Sequence, residues 1–180
     1  VLPETVAEAA YEAREKFPNK RIIVHFNQPH TPFIGKKRIS GRGMRNLRSR
    51  AMGGENGVNT MTPFEQLDAG ELDKKTVWEA YRSNLNRVLP VVKEVLISFQ
   101  GLTVVTSDHG NALGERAWPF PIRVYGHPLG ILIPPLINVP CHIHNNGKRP
   151  NIESEPPDEF ETSSVQCNVS ERLSQLGYID

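Results

Sequence analysis

The sequence predicts an α/β domain, and three observations carry that prediction. A helix-forming stretch, Pro3 to Lys16, gives way at Pro18-Asn19 to a short, mostly apolar run, Arg21-Ile22-Ile23-Val24-His25-Phe26. Helix, short loop and strand is the rhythm from which α/β sheets are built. A long amphipathic stretch, Lys74 to Phe99, then leads through Gln100-Gly101 into Leu102-Thr103-Val104-Val105-Thr106, a β-branched run that reads as a buried strand. That strand ends in Asp108-His109-Gly110, at the place where open α/β sheets hold their ligands, outside the carboxyl end of a strand.

Taken in order, the first helix has Pro3 at a position suited to the first turn. Glu4 faces the positive end of the dipole, and alanines favour the interior. Residues His30 to Asn59 form a long, Gly-rich, basic stretch holding Lys36, Lys37, Arg38, Arg42, Arg45, Arg48 and Arg50. Such a stretch is either a solvated excursion or a surface that attracts an anionic substrate or nucleic-acid phosphates. No aromatic residue interleaves its arginines, which argues against a single-strand binding surface. Thr62-Pro63-Phe64-Glu65 is a helix start with N-cap, first-turn proline and capping-box glutamate.

A second start at Asp73 opens the longest helix. Its stripe of Trp78, Tyr81, Leu85, Val88, Val92, Val95 and Phe99 is expected to pack on the sheet. Pro90 is expected to kink or divide this helix. Beyond Gly110 come Asn111 to Arg116, a stretch interrupted by Pro119 and Pro121, and a turn, Tyr125-Gly126-His127-Pro128. The apolar run from Ile131 to Pro140 is broken by prolines and is expected to form edge strands. Residues 145–162 read as a polar, Pro-rich linker. Residues 163–180 read as a C-terminal helix with Val165, Val169, Leu173 and Leu176 on one side. The body of the domain is accordingly assigned to residues 1–144.

Composition sets the outer bounds. The chain has 180 residues, 38% hydrophobic and 23% charged, enough for a packed core in one domain or a large piece of one. A formal net charge of +1 gives no whole-chain reason to expect nucleic acid or a membrane surface. No apolar run approaches the roughly 20 residues of a membrane helix. No signal-peptide pattern is present, so a cytoplasmic location is expected. Cys141 and Cys167 are too few for a disulfide framework. They read as reduced thiols, Cys141 buried in its apolar run. The chain begins at Val1 rather than Met, which suggests a processed product or a fragment.

Two strand ends carry candidate chemistry. Asp108 and His109 offer a hard oxygen and a borderline nitrogen to one metal ion, and Gly110 permits a sharp turn or a close approach to a ligand. The same residues also read as a strand followed by a polar turn. His30 follows the first apolar run, stiffened by Pro29 and Pro32. It lies at the same sheet edge as Asp108 if both strands are parallel. Such an imidazole is a candidate ligand, general acid or hydrogen-bond donor, or a structural histidine. His142 and His144, beside Cys141, share one face if they lie on a strand and form a weaker metal candidate.

Val24-His25-Phe26-Asn27-Gln28-Pro29-His30-Thr31-Pro32-Phe33 resembles the histidine–proline motif of sulfatases and related alkaline-phosphatase superfamily enzymes. Val105-Thr106-Ser107-Asp108-His109-Gly110-Asn111-Ala112-Leu113-Gly114-Glu115 is similar to their Ser-Asp-His-Gly…Leu-Gly-Glu metal motif. Tyr125, the segment Ile133 to Pro140, and Val169 to Tyr178 resemble the segments that follow, in the family's order. The resemblance implies a three-layer α/β/α fold around a largely parallel sheet. It implies metal-assisted hydrolysis, or phosphotransfer, of a small sulfate or phosphate ester. Asp108 and His109 would then be metal ligands for a divalent ion such as Ca, Mn, Zn or Mg. His30 would contact the substrate's anionic group or leaving oxygen, and His127 would be a second ligand or substrate contact. Arg123, with Arg116, would neutralise equatorial oxygens.

The family's nucleophile and first acidic ligands precede the strand matched by Arg21–Phe26. Only residues 1–20 come before it here, and they contain no Cys-x-Pro-x-Arg. The resemblance is thus to the C-terminal half of the fold, with the nucleophile expected in a missing N-terminal part. Asn111 replaces an acid often found after Asp-His-Gly. The alternative is a truncated, catalytically inactive relative that serves as a binding or structural module. A polyanion binder built on the Lys36–Arg50 stretch is a third reading, opposed by the near-neutral net charge.

Overall fold

The computed structural model describes residues 1–39 and 61–154. The arginines at 42, 45, 48 and 50, the C-terminal helix expected over 163–180, and Cys167 lie outside the described residues.

Helix α1 spans Pro3–Lys16, with proline in its first turn and Arg14 and Lys16 in its last. Helix α2, Pro63–Asp68, starts with a complete capping box: the Thr62 hydroxyl accepts from the Glu65 N–H, and the Glu65 carboxylate accepts from the Thr62 N–H. Helix α3, Lys74–Ser98, is capped by the Asp73 carboxylate, which accepts from the Thr76 N–H at 2.9 Å. It runs unbroken through Pro90. Pro90 lies on the exposed side, and so does Asn86, whose carbonyl the proline leaves without its helical donor. On an exposed face water can replace that donor, so one proline need not divide the helix.

The face that α3 buries shares Val88 and Val95 with the expected stripe and is otherwise shifted from it by one residue. Val77, Ala80, Asn84, Val88, Val91 and Val95 are buried, whereas Trp78 is 43% exposed and stacks on Tyr81. Small side chains occupy the line of closest approach and the bulky aromatics flank it. The helix packs mainly on other helices and on loop residues, with Leu113 and Tyr125 touching the cluster at its N-terminal half. Its C-terminal half meets α1 through Ala7, Val91 and Val95, with Tyr11, Phe26 and Phe99 around them, and Arg87 pairs with Glu4 at 2.6 Å. Its N-terminal half closes over Phe33, Ile39 and Leu67.

Strand β1, Gly101–Thr106, forms where expected, but its neighbour is antiparallel. It pairs with β4, Cys141–Asn146, in the register Gly101↔Asn146 to Thr106↔Cys141. Strand β1 is also only half-buried, with Leu102 45% and Val104 50% exposed. Strands β2, Ala112–Arg116, and β3, Arg123–Gly126, form a separate antiparallel hairpin with a register shift at Gly114. The molecule is therefore mixed α/β, and its described sheets are two-stranded and antiparallel.

Three further expectations are corrected. Arg21–Phe26 is not a strand: it joins no ladder, and Ile23 is 95% exposed. A β-branched run becomes a strand only where another strand accepts its backbone. The segment from Ile131 to Pro140 forms no edge strand. Its prolines at 134 and 135 instead open a short helix, α4, Pro134–Ile137, since proline's fixed φ suits a first helical turn. Helix α4 packs Leu136 and Ile133 against Ala112 and Val124 of the hairpin. Cys141 is an exposed free thiol rather than a buried one, because β4 covers β1 along one edge and leaves its own faces open. No helix among the described residues is long and apolar enough to cross a membrane.

Candidate functional site

The site assembles at the carboxyl end of β1. There the Asp108 carboxylate accepts the backbone N–H of His109 at 2.9 Å and tightens the turn that leaves the strand. Gly110 follows, with its N–H donated to the carbonyl of Leu136 at 2.8 Å. What comes close to this glycine is the chain's own α4.

Three imidazoles meet here. The rings of His109 and His127 lie 4.3 Å apart, and those of His30 and His127 lie 5.9 Å apart, so His127 is the middle member. The expected convergence of His30 with Asp108–His109 is therefore present, but no common parallel sheet edge produces it. Asn84 does. It is the only buried polar residue among those described and sits on the inner face of α3. Its amide nitrogen donates to the carbonyls of Pro29 at 3.0 Å and His30 at 2.8 Å. Its amide oxygen accepts the N–H of Ile34 at 2.9 Å. The loop lies so close to α3 that a Cβ on Gly35 would stand 2.3 Å from the Ser83 carbonyl oxygen.

The hydrogen bonds fix the tautomers. His30 Nδ1 is 2.7 Å from the Thr31 carbonyl oxygen and His109 Nδ1 is 2.8 Å from that of Gly110. A carbonyl oxygen can only accept, so Nδ1 carries the proton in both rings. His127 Nδ1 is 2.8 Å from Asn111 Oδ1, and the other end of that amide donates to the Tyr81 hydroxyl at 3.5 Å. In its neutral form each ring thus keeps Nε2 as an open lone pair, the arrangement in which histidine serves as a ligand. Asn84, Asn111 and Tyr81 were not singled out as site residues by sequence reasoning. The signal for Asn84 was available: an amide at helical spacing from Val77, Ala80 and Val88.

The remaining candidates fall elsewhere. Arg123 stands at the opposite end of β3 from His127, about 13 Å along an extended strand, and its guanidinium donates to the Gly114 carbonyl at 3.0 Å. Glu115 of the Leu-Gly-Glu motif pairs with Lys74 at 3.1 Å and accepts the Leu113 N–H. In the basic stretch, Lys37 lies 3.6 Å from Glu79 and Arg38 donates to the Gly35 carbonyl at 3.2 Å. His142 and His144 share a face of β4 with ring centroids 6.5 Å apart.

Burial of its ring, and then the neighbouring imidazoles of His109 and His30, hold the His127 pKa below the usual histidine value. Asp108 opposes them. A depressed histidine pKa means that the unfolded chain takes up its proton at a higher pH than the folded chain does. Stability from this group is intact above the unfolded value of about 6.5 and declines as the pH falls from there to the folded pKa. Thermal melts are expected to drop on going from pH 7.5 to 5.5, and His127→Gln is expected to flatten that dependence. An unchanged slope in the variant would remove His127 as its source.

A divalent cation can be tested against these donors. Asp108 and His109 fit by type, with a carboxylate 60% exposed and an open imidazole nitrogen. They fall short in number, since among the described residues no group of three or more His, Cys, Asp or Glu side chains is spaced to hold a metal ion. No protein-family model matches this chain, and no curated protein or solved structure matches it either.

Proposed function

We propose that this chain carries part of a metal-dependent hydrolytic or phosphotransfer site for small sulfate or phosphate esters, of the sulfatase-like kind, on a larger three-layer fold. The supporting observation is the convergence of His30, His109 and His127 with Asp108, every imidazole holding its Nδ1 proton on an oxygen acceptor and its Nε2 open. Asp108 and His109 would hold the divalent ion, which when bound supplies Lewis-acid polarisation of an ester oxygen.

The chain's own residues do the rest. His30 has committed its Nδ1 proton to Thr31, so it can donate to an anionic group only as the imidazolium, through Nε2. His127, kept neutral by burial and by its neighbours, accepts a proton rather than donating one. Asn111 holds its ring in the tautomer that allows this. The described residues are assigned no nucleophile in this mechanism, and Arg123 has no part in it.

Metal analysis tests the reading. After equilibration with Mn or Zn, Asp108→Ala and His109→Ala are each expected to lower metal affinity at least about tenfold. Unchanged metal content in both variants would sink the ligand assignment. A panel of aryl sulfate, phosphomonoester and phosphodiester substrates, run with and without added divalent metal, then separates a hydrolase from an inactive relative.

A further inference from the structure

The turn between β2 and β3 brings three exposed large apolar side chains together at one hairpin tip. Trp118, Phe120 and Ile122 are 89%, 63% and 59% exposed. They belong to none of the apolar clusters, the last packed residue before them being Ala117. The turn is nevertheless ordered: the Ala117 N–H donates to the Ile122 carbonyl at 3.0 Å and the Phe120 N–H to the Ala117 carbonyl at 2.8 Å. Pro119 and Pro121 have no N–H at all. Of the residues from 117 to 122, these four therefore present no free backbone donor that water must satisfy. A loop tip with so few unmet donors can leave water at low cost.

Its base is cationic. Arg116 and Arg123 are direct cross-strand partners, a pairing of like charges that costs stability unless an anion compensates it. Neither has an acidic partner among the described residues. The adjacent carboxylate, Glu115, is occupied by Lys74 at 3.1 Å. Among the described residues the two guanidiniums spend one hydrogen bond on protein, from Arg123 to the Gly114 carbonyl.

An indole and two apolar side chains at the tip, with guanidiniums one step behind, match the layering of a bilayer surface. Aromatic rings settle at the interface and cations at the phosphate level. We propose that this hairpin tip docks peripherally on anionic lipid surfaces, Trp118, Phe120 and Ile122 entering the interfacial region and Arg116 and Arg123 meeting phosphates. This surface is independent of the imidazole site.

Flotation with vesicles tests the docking. The chain is expected to float with phosphatidylcholine vesicles containing about one-third phosphatidylglycerol, and far less with phosphatidylcholine alone. The Trp118 fluorescence should shift to the blue on binding. Trp118→Ser with Phe120→Ser should lower binding at least tenfold while leaving the melting temperature near wild type, because both side chains are largely exposed and belong to none of the apolar clusters among the described residues. Arg116→Gln with Arg123→Gln should weaken binding and flatten its salt dependence. Equal flotation with and without the anionic lipid, or binding undiminished in the Trp118/Phe120 variant, would overturn the proposal. So would lipid-independent self-association that this variant abolishes, which would give the tip to a second copy of the chain.

Discussion

Gly110→Ala is expected to lower stability by about 2–3 kcal/mol, the upper part of the range for overpacking a filled site. The new Cβ would stand 2.0 Å from the Pro135 carbonyl oxygen and 3.1 Å from its carbon, with the Leu136 Cα only 3.6 Å away. These are backbone atoms, so no rotamer change relieves the contact. The Gly110 N–H is also tied to the Leu136 carbonyl at 2.8 Å. Moving α4 aside would break that bond and draw Leu136 and Ile133 out of their cluster with Ala112 and Val124.

Gly70→Ala is the control. Gly70 has φ +74° and nothing within 4 Å of its would-be Cβ, so only the left-handed backbone is penalised, at about 1 kcal/mol. Urea unfolding should show the larger loss for Gly110→Ala as a lower midpoint at unchanged slope. Equal losses in the two variants would show that contact with α4 is not what requires glycine at 110. The glycine that reads from sequence as room for a ligand is thus occupied by Pro135 of the same chain.

Local signals in the sequence translated directly into structure. Pro3 to Lys16 is a helix, the Thr62 capping box is complete, and β1 begins at Gly101, where the long helix has ended. What failed was information about partners. Arg21–Phe26 has the composition of a strand, but among the described residues the strand laid beside β1 is β4, some forty residues later in the chain. Composition cannot specify that choice, because a ladder depends on which backbone comes alongside. The β2–β3 hairpin was hidden by Pro119 and Pro121, which read as interruption and in fact form the turn.

The candidate site divides in the same way. Asp108, His109, His30 and His127 were recognisable as residue types in sequence context. Their meeting depends on Asn84 and Asn111, whose roles exist only once distant backbone groups reach them. The stripe on α3 is right at Val88 and Val95 and one position off at its N-terminal end for a related reason. Hydrophobicity favours Trp78 and Tyr81, whereas close approach selects Val77, Ala80 and Asn84.

Asn84 is the residue on which that geometry turns. Replacing it by leucine leaves the carbonyls of Pro29 and His30 and the N–H of Ile34 without their partner in a part-buried setting, and an unmet group costs up to about 1–3 kcal/mol where water cannot replace that partner. With some relaxation of the loop, Asn84→Leu is expected to lose about 2–3 kcal/mol at every pH. Asn84→Asp is expected to lose more at neutral pH, about 3 kcal/mol or above, because a charged acceptor would then face two carbonyl oxygens in place of a donor.

The pH dependence separates the two variants. Burial against carbonyls raises the folded pKa of a carboxyl group introduced at this position. The Asn84→Asp protein should therefore recover stability as the pH falls through that value and a proton restores one donor. This is opposite in sign to the His127 effect, and the Asn84→Leu protein should show no such recovery. In both variants His30 should leave His127, read as loss of the proton–proton contact between rings now 5.9 Å apart. An Asn84→Asp protein as stable as wild type at pH 7 would mean that the loop is held by its own prolines, and that α3 merely lies beneath it.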